Sequence, residues 1–441
     1  MQQAYFYSLA DFLTSQLTGS EIFTAYLIAE QSDFVRINHA QIRQPGSVTQ
    51  GTLSVRLIDQ SKQASISISL VGEGDADKAQ LQKVLADLRA MMPLLPVDPH
   101  LLINTTVQST EHIEKNDLCA TNEMVEDILS QAKGLDCVGI LASGSIVHGF
   151  ANSFGQRNWF VSHNFNWDWS LVHSADKAVT ASYAGKSWDS NIFAQKMVDA
   201  KQQLSLLSRP SKTLTPGEYR AYLSPVAIWE ILELISWGGF GIASHENKTT
   251  PLLNMIEGSK KLSPLFSLSE DVVGGVAPGF QSDGFIRPNN VPLITDGELT
   301  GALVSPRSAK EFQKETTGAG GGESPDALLV SGGTLKQEDI LKELDTGVLI
   351  GNLWYLNYSD RAGGRMTGMT RFATFWVENG EIVQPVNVMR FDDTIYNILG
   401  ENLEALTQNV DFLLSASSYF HRSTSSARLP GALLKSFCFT L

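Results

Sequence analysis

"NWFVSHNFNWDWSLVH", residues 158 to 173, alternates between two kinds of side chain along its whole length. Trp159, Val161, His163, Phe165, Trp167, Trp169 and Leu171 fall on one side of an extended chain. Asn158, Ser162, Asn164, Asn166, Asp168 and Ser170 fall mostly on the other. A period of two sustained this far is that of a β-strand, whose side chains point alternately to opposite faces. One buried face is therefore expected, the aromatic one. His163 lies within it, either as a satisfied core histidine or as a contact in an aromatic-lined cleft.

The segments before this strand read as a helix and several strands. Residues 4 to 17 space Phe6, Leu9, Ala10, Leu13 and Leu17 as an amphipathic helix does. "EIFTAYLIAEQSDFVRINHAQIRQP" (21–45), "GTLSVRLIDQ" (51–60) and "QASISISLVG" (63–72) alternate like paired strands. A helix from Ala76 to Met91 follows, stopped by Pro93 and Pro96. Another is expected near 122–132, and "DCVGILASGSIVHGFANSFG" (136–155) reads as strands with glycine breaks.

Beyond the strand, a helix is expected over 190–207, and "RPSKTLTPGEYRAYLSP" (209–225) reads as a linker leading into a strand. An apolar helix from Pro225 to Trp237 then opens a region of short strands and glycine turns such as "TDGEL" and "DRAGGRMTG". A last helix near 394–406 and the strand "ALLKSFCFTL" (432–441) end the chain. The whole reads as α+β: N-terminal α/β units over 1–95 and 96–212 with a mixed sheet, and a β-rich C-terminal domain over 213–441. At 441 residues, more than one domain is the default.

The charge balance is 33 basic against 47 acidic residues, −14 in all. Such a surface repels phosphate backbones, so nucleic acid is not an expected partner. No apolar run is long enough to span a bilayer, so no membrane association is expected. Three cysteines without C-x-x-C spacing, and an N-terminus without a basic leader, lead to an expectation of a cytoplasmic protein.

Motifs of chemistry are incomplete. His245-Glu246 begins like a zinc peptidase motif, but no second histidine stands four or five positions on, and Pro251 would break the ligand helix. "AGKS" (184–187) lacks the first glycine of a phosphate loop, having Thr180 in its place. "GAGGGE" (318–323) lacks the strand-turn-helix context of a dinucleotide loop. Glu230 and Glu233 read as the solvated face of their helix. His163, His245, Glu246 and His421 remain as candidates for peptide or cleft contact, with no catalytic or metal-binding residue assigned.

Several stretches occur in an order that carries more than any motif alone. They are "LTPGEYRAYLSPVAIWEILELIS" (214–236), "NVPLITDGELTGALVSPRSAKEF" (290–312), "TTGAGGG" (316–322), "LLVSGGTLKQEDILKEL" (328–344), "TGVLIGNL" (346–353) and "FWVENGEIVQPVNVMRFDDTIYNIL" (375–399). Together with "VRINHAQIRQ" (35–44), "GTLSVRLI" (51–58) and "GFANSFG" (149–155), the chain resembles the TldD/PmbA family of peptide-processing zinc metalloproteases. That resemblance implies two kinds of chain, paired as a heterodimer, of which the catalytic kind carries HExxxH on the helix after the "L.P" strand and a further cysteine ligand. In the register set by "YLSP", the motif's first histidine falls at Glu233, its glutamate at Leu234 and its second histidine at Gly238. None matches, and Cys438 alone cannot make a site. The chain therefore resembles the TldE/PmbA branch, which lacks the zinc motif.

The resemblance implies a non-catalytic subunit that helps hold an extended peptide, with zinc on an HExxxH-bearing TldD-like partner and no cofactor on this chain. A homodimer is a further expectation when the partner is absent. Two alternatives stay open. One is a peptidase active alone through a metal at His245, Glu246 and His421. The other is a free-standing peptide-binding protein.

Overall fold

The computed structural model describes residues 1–174 and 177–440. The aromatic stretch forms the core of an α+β architecture as one long strand. Strands β1 (Ile22–Asn38), β2 (Gln41–Asp59), β3 (Lys62–Ser69), β4 (Thr110–Ile113), β5 (Cys137–Asn152), β6 (Arg157–Ser174) and β7 (Lys177–Gly185) make a single seven-stranded sheet. Its order is β3-β2-β1-β5-β6-β4, with β7 also on β6. All pairings are antiparallel except β4 with β6. The expected boundary near residue 95 does not separate two sheets, because β1 pairs with β5 from Thr24↔Asn152 to Ile37↔Gly139.

One face of this sheet carries four helices: α1 (Gln3–Gln16), α2 (Gly74–Met91), α3 (Thr121–Gln131) and α4 (Ser190–Leu206). Phe6, Leu9 and Leu13 of α1 and Leu81, Leu85 and Leu88 of α2 pack on Phe23, Leu27, Leu53 and Trp159. At the other end Met124, Ile128, Phe193 and Met197 pack on Phe165, Trp167, Trp169 and Leu171. The aromatic face of β6 is thus core, as its periodicity predicts.

The glycines of β5 are not breaks. A Cβ on Gly149 would stand 2.8 Å from the Phe6 ring, and one on Gly139 would stand 2.6 Å from the Trp167 ring. These positions admit neighbouring aromatics to the strand surface, a use of glycine inside a sheet that needs no turn. The strand runs through them uninterrupted.

The polar face of β6 departs from expectation. Asn158, Ser162, Asn164 and Asn166 are buried too. Asn164 and Asn166 meet polar groups of the C-terminal half: Asn166 Nδ2 donates to the Leu414 carbonyl at 3.1 Å, and Arg422 donates to Asn164, whereas Asn158 and Ser162 bond to residues 108–114 in and beside β4. Asparagine is tolerated there because the side-chain N–H groups find acceptors, those of Asn158 and Asn164 on neighbouring N-terminal residues and that of Asn166 across the seam.

The C-terminal half holds β8 (Gly217–Leu223), β9 (Leu268–Asp271), β10 (Asn290–Thr295), β11 (Glu298–Leu299), β12 (Ala327–Val330), β13 (Gly347–Asp360), β14 (Arg365–Glu378), β15 (Glu381–Pro385), β16 (Arg390–Thr394), β17 (Leu403–Leu406), β18 (Asp411–Leu414), β19 (Ser426–Leu429) and β20 (Ala432–Phe439). One sheet runs β11-β10-β9-β12-β19-β18. The other runs β13-β8-β20-β16-β14-β15, and β13 also pairs β14, closing a ring. The helix expected over 394–406 is instead a single wide turn, Asn397–Glu401, followed by β17. Pairing with β20 overrides the helical spacing there. The serine-rich segment "SYFHRSTSSARLPG" (418–431) contains the buried Arg422 and strand β19.

Helix α5 (Pro225–Ser236) lies between these two sheets. Ser224 caps it, its hydroxyl accepting from the Ala227 N–H, and Pro225 occupies the first turn. Ala227, Ile228, Ile231, Leu232 and Ile235 are buried among residues of β8, β13 and β19. Trp237 and the left-handed Gly238 (φ +79°) end it.

Candidate functional site

The polar edge of α5 looks into a cleft at the seam between the two halves. A cavity of ≈350 Å³ is lined by Glu230, Glu233, Val226 and Trp229 of α5, Asp168 of β6, Thr180 and Ser182 of β7, Asn352 of β13 and the 414–417 segment. It adjoins a larger one of ≈610 Å³, which shares Asp168, Thr180 and residues 414–417 and adds Asn166, Arg36, Arg43 and Arg422. The chain contributions lie far apart in sequence, so only the folded seam assembles them.

Glu230 does not stand on a solvated face. It turns inward, and its carboxyl accepts the Leu353 N–H at 2.5 Å. Burial pushes the carboxyl up to about 8; the Leu353 N–H works against that rise, and neighbouring Glu233 adds to it. Asp168 is likewise raised by burial to about 7, eased only by the Asn166 amide. Glu233 is open to solvent at the cavity mouth, as expected of it, while the surrounding protein still raises its carboxyl. Among the described residues none of the three has a basic partner: no ion pair includes them, and no basic side chain acts on their titration.

The four candidates from sequence lie elsewhere. His163 is on the helix-bearing face of β6, opposite to Asp168, and its pKa is lowered by burial with Glu114 opposing. His245 is in the short helix α6 (Ile242–Glu246), with Nε2 donating to the Gly239 carbonyl at 2.7 Å. Glu246 pairs with Lys314 at 3.3 Å. His421 Nδ1 meets the Arg422 carbonyl at 2.8 Å. None of the four lines either cavity. Among the described residues, no three His, Cys, Asp or Glu side chains are grouped so that they could hold a metal ion.

The sequence reading missed Asp168, Asn166 and Glu230. Its one available signal was an acidic residue within a face of asparagines, a composition unsuited to bulk solvent over so long a strand. No helix among the described residues is long and apolar enough to cross a membrane.

Comparison with known proteins matches residues 216–440 to a family model described as the PmbA/TldA metallopeptidase C-terminal domain. A curated relative, Metalloprotease PmbA of Escherichia coli O157:H7, is 26% identical over 398 residues, covering 86% of this chain and 83% of that protein. In fold, the chain is similar to TldE from Thermococcus kodakarensis, with a TM-score of 0.80, 15% identity, and coverage of 99% and 100%. It is also similar to a Thermotoga maritima protein described as a candidate modulator of a DNA gyrase, with a TM-score of 0.78, 14% identity and 99% coverage of each chain.

Proposed function

Because the chain belongs to the PmbA/TldD metallopeptidase family, we propose that it is a non-catalytic subunit, paired with a zinc-bearing homologue and holding part of an extended peptide for cleavage. The observation that carries this reading is the polar edge of α5. In the family register, Glu233, Leu234 and Gly238 occupy the three HExxxH positions. Leucine offers no general base and glycine no donor atom, so these residues do not fit a zinc ion.

The cleft beside α5 supports a binding role. It is walled by both halves of the molecule and has room for several residues of a peptide. Unpaired strand edges nearby offer backbone groups to such a chain. A solitary peptidase using His245, Glu246 and His421 has no geometric support, since each is engaged separately. Cytoplasmic location belongs to the same proposal.

Co-expression tests it. A tagged copy of this chain should retain an HExxxH-bearing homologue in about equal amount, and only the complex should cleave an unfolded peptide. Peptidase activity from this chain alone would contradict the proposal.

A further inference from the structure

The larger cavity combines an apolar floor with arginines that form no ion pair. Its floor is the face of the N-terminal sheet opposite the helices. There the rows Phe34–Ala142–Asn166 and Arg36–Ile140–Asp168 run across β1, β5 and β6. Val138 and Ile140 of that floor are exposed. Arg43 of β2 is the extra residue of a β-bulge, because Ile37 pairs with Ile42 and Arg36 with Gln44. A bulge of this kind re-aims the side chain it carries, and Arg43 lines the cavity. Arg36 and Arg43 are both exposed.

Arg422 reaches the cavity from the facing segment and is 4% exposed. Its Nη groups donate to Asn164 and to the Gly144 carbonyl, while its Nε–H has no acceptor among the described residues. Glu30 acts on it only from beyond ion-pair distance, and among the described residues none of the three arginines forms an ion pair. A guanidinium buried in this way carries a desolvation cost that an arriving anion reduces. Asn166 lines the same cavity, is 4% exposed, and has no partner for its Oδ1 among the described residues. A buried amide oxygen without a donor is uncommon.

The cavity thus suits an anion that also brings an N–H donor and an apolar body. A small inorganic anion has no apolar body, whereas the last residue of a peptide has all three. We propose that the larger cavity binds the free C-terminus of a peptide, with its carboxylate facing Arg36, Arg43 and Arg422, its last N–H toward Asn166, and an apolar last side chain on Val138 and Ile140. This rests on the cleft being the peptide site, and does not depend on the partner chain.

The charged groups facing this cavity are Arg36 from β1, Arg43 from β2, Asp168 from β6 and Arg422 from the 415–425 segment; β5 and β7 contribute none. Asp168, raised to about 7 by burial, changes charge near neutrality. Ionised, it repels an incoming carboxylate; neutral, it does not. Binding therefore takes up a proton and tightens as pH falls from 8 to 6, a range in which the peptide's own carboxylate stays ionised.

The test uses this chain alone and three acetylated tetrapeptides. They are Ala-Ala-Ala-Leu as the free acid, the same peptide as its C-terminal amide, and Ala-Asp-Ala-Leu amide, whose carboxylate is on a side chain. Calorimetry at pH 6 should give the free acid an affinity about tenfold or more above both amides. That advantage should shrink at pH 8, and Asp168→Asn should remove the pH dependence. Arg36→Gln combined with Arg43→Gln alters only exposed side chains, and should remove most of the advantage. No measurable binding of the free acid, an Asp-bearing amide that binds as tightly as the free acid, or an advantage that survives the double variant would overturn the proposal. Equal binding of all three peptides would remove the carboxylate subsite and leave the cleft as a peptide site. A preference for the free acid in a chain that retains no zinc-bearing homologue would keep the subsite and remove the subunit reading.

Discussion

The carboxyl of Glu230 accepts the backbone N–H of Leu353 at 2.5 Å, fastening the middle of α5 to β13 beside a β-bulge. Glutamine at 230 keeps an acceptor, whereas alanine leaves that N–H without one. Glu230→Gln should therefore be more stable than Glu230→Ala by roughly 1–2 kcal/mol in urea unfolding. Equal stability would mean that the contact contributes nothing.

Asp168 gives a pH signature. Its folded pKa, about 7, lies above its unfolded value, so the folded state binds the extra proton between the two. The stabilisation from that protonation is complete below the unfolded pKa and is lost as pH rises through about 7. Asp168→Asn should remove the loss, leaving the variant roughly 1–2 kcal/mol more stable than the parent at pH 8 and little changed at pH 4. Thermal melts across that range would read it, and parallel curves for the two proteins would refute it.

Arg422 joins the 415–425 segment to the sheet. It is 4% exposed and donates to the Asn164 side chain, to the Asn164 carbonyl of β6 at 3.2 Å and to the Gly144 carbonyl of β5 at 3.5 Å. Its removal strands buried acceptors on two strands. Arg422→Ala should cost roughly 2–4 kcal/mol and make residues 415–425 the first site of limited proteolysis. Cleavage rates equal to the parent's would count against this.

Gly149 makes a packing prediction. Its missing Cβ leaves room for the Phe6 ring, and Trp159 stands behind it at 3.1 Å. Gly149→Ala should destabilise by roughly 1–3 kcal/mol, and pairing it with Phe6→Leu should recover part of the loss. A neutral Gly149→Ala would show that α1 moves aside freely.

Local periodicity revealed much of the N-terminal sheet, because alternation over Trp159 to Leu171 and the helical spacing of Phe6, Leu9 and Leu13 follow from burial on one face. What it did not reveal arises from packing between distant segments. The asparagine face of β6 reads as solvated until residues 414–422 are laid against it. Glycines 139 and 149 read as breaks until Trp167 and Phe6 are placed over them. Glu230 reads as surface because it borders the apolar stripe of α5, and only β13 shows that it faces inward. The wide turn at Asn397–Glu401 reads as helix because its apolar residues carry helical spacing, while β20 claims the residues that follow.

Zinc content per chain, measured by elemental analysis on this protein expressed alone and purified without chelator, bears most directly on the central claim. A non-catalytic subunit should carry almost none, with zinc appearing only when an HExxxH-bearing partner is co-purified. A value close to about one zinc ion per chain, together with peptidase activity, would contradict the account.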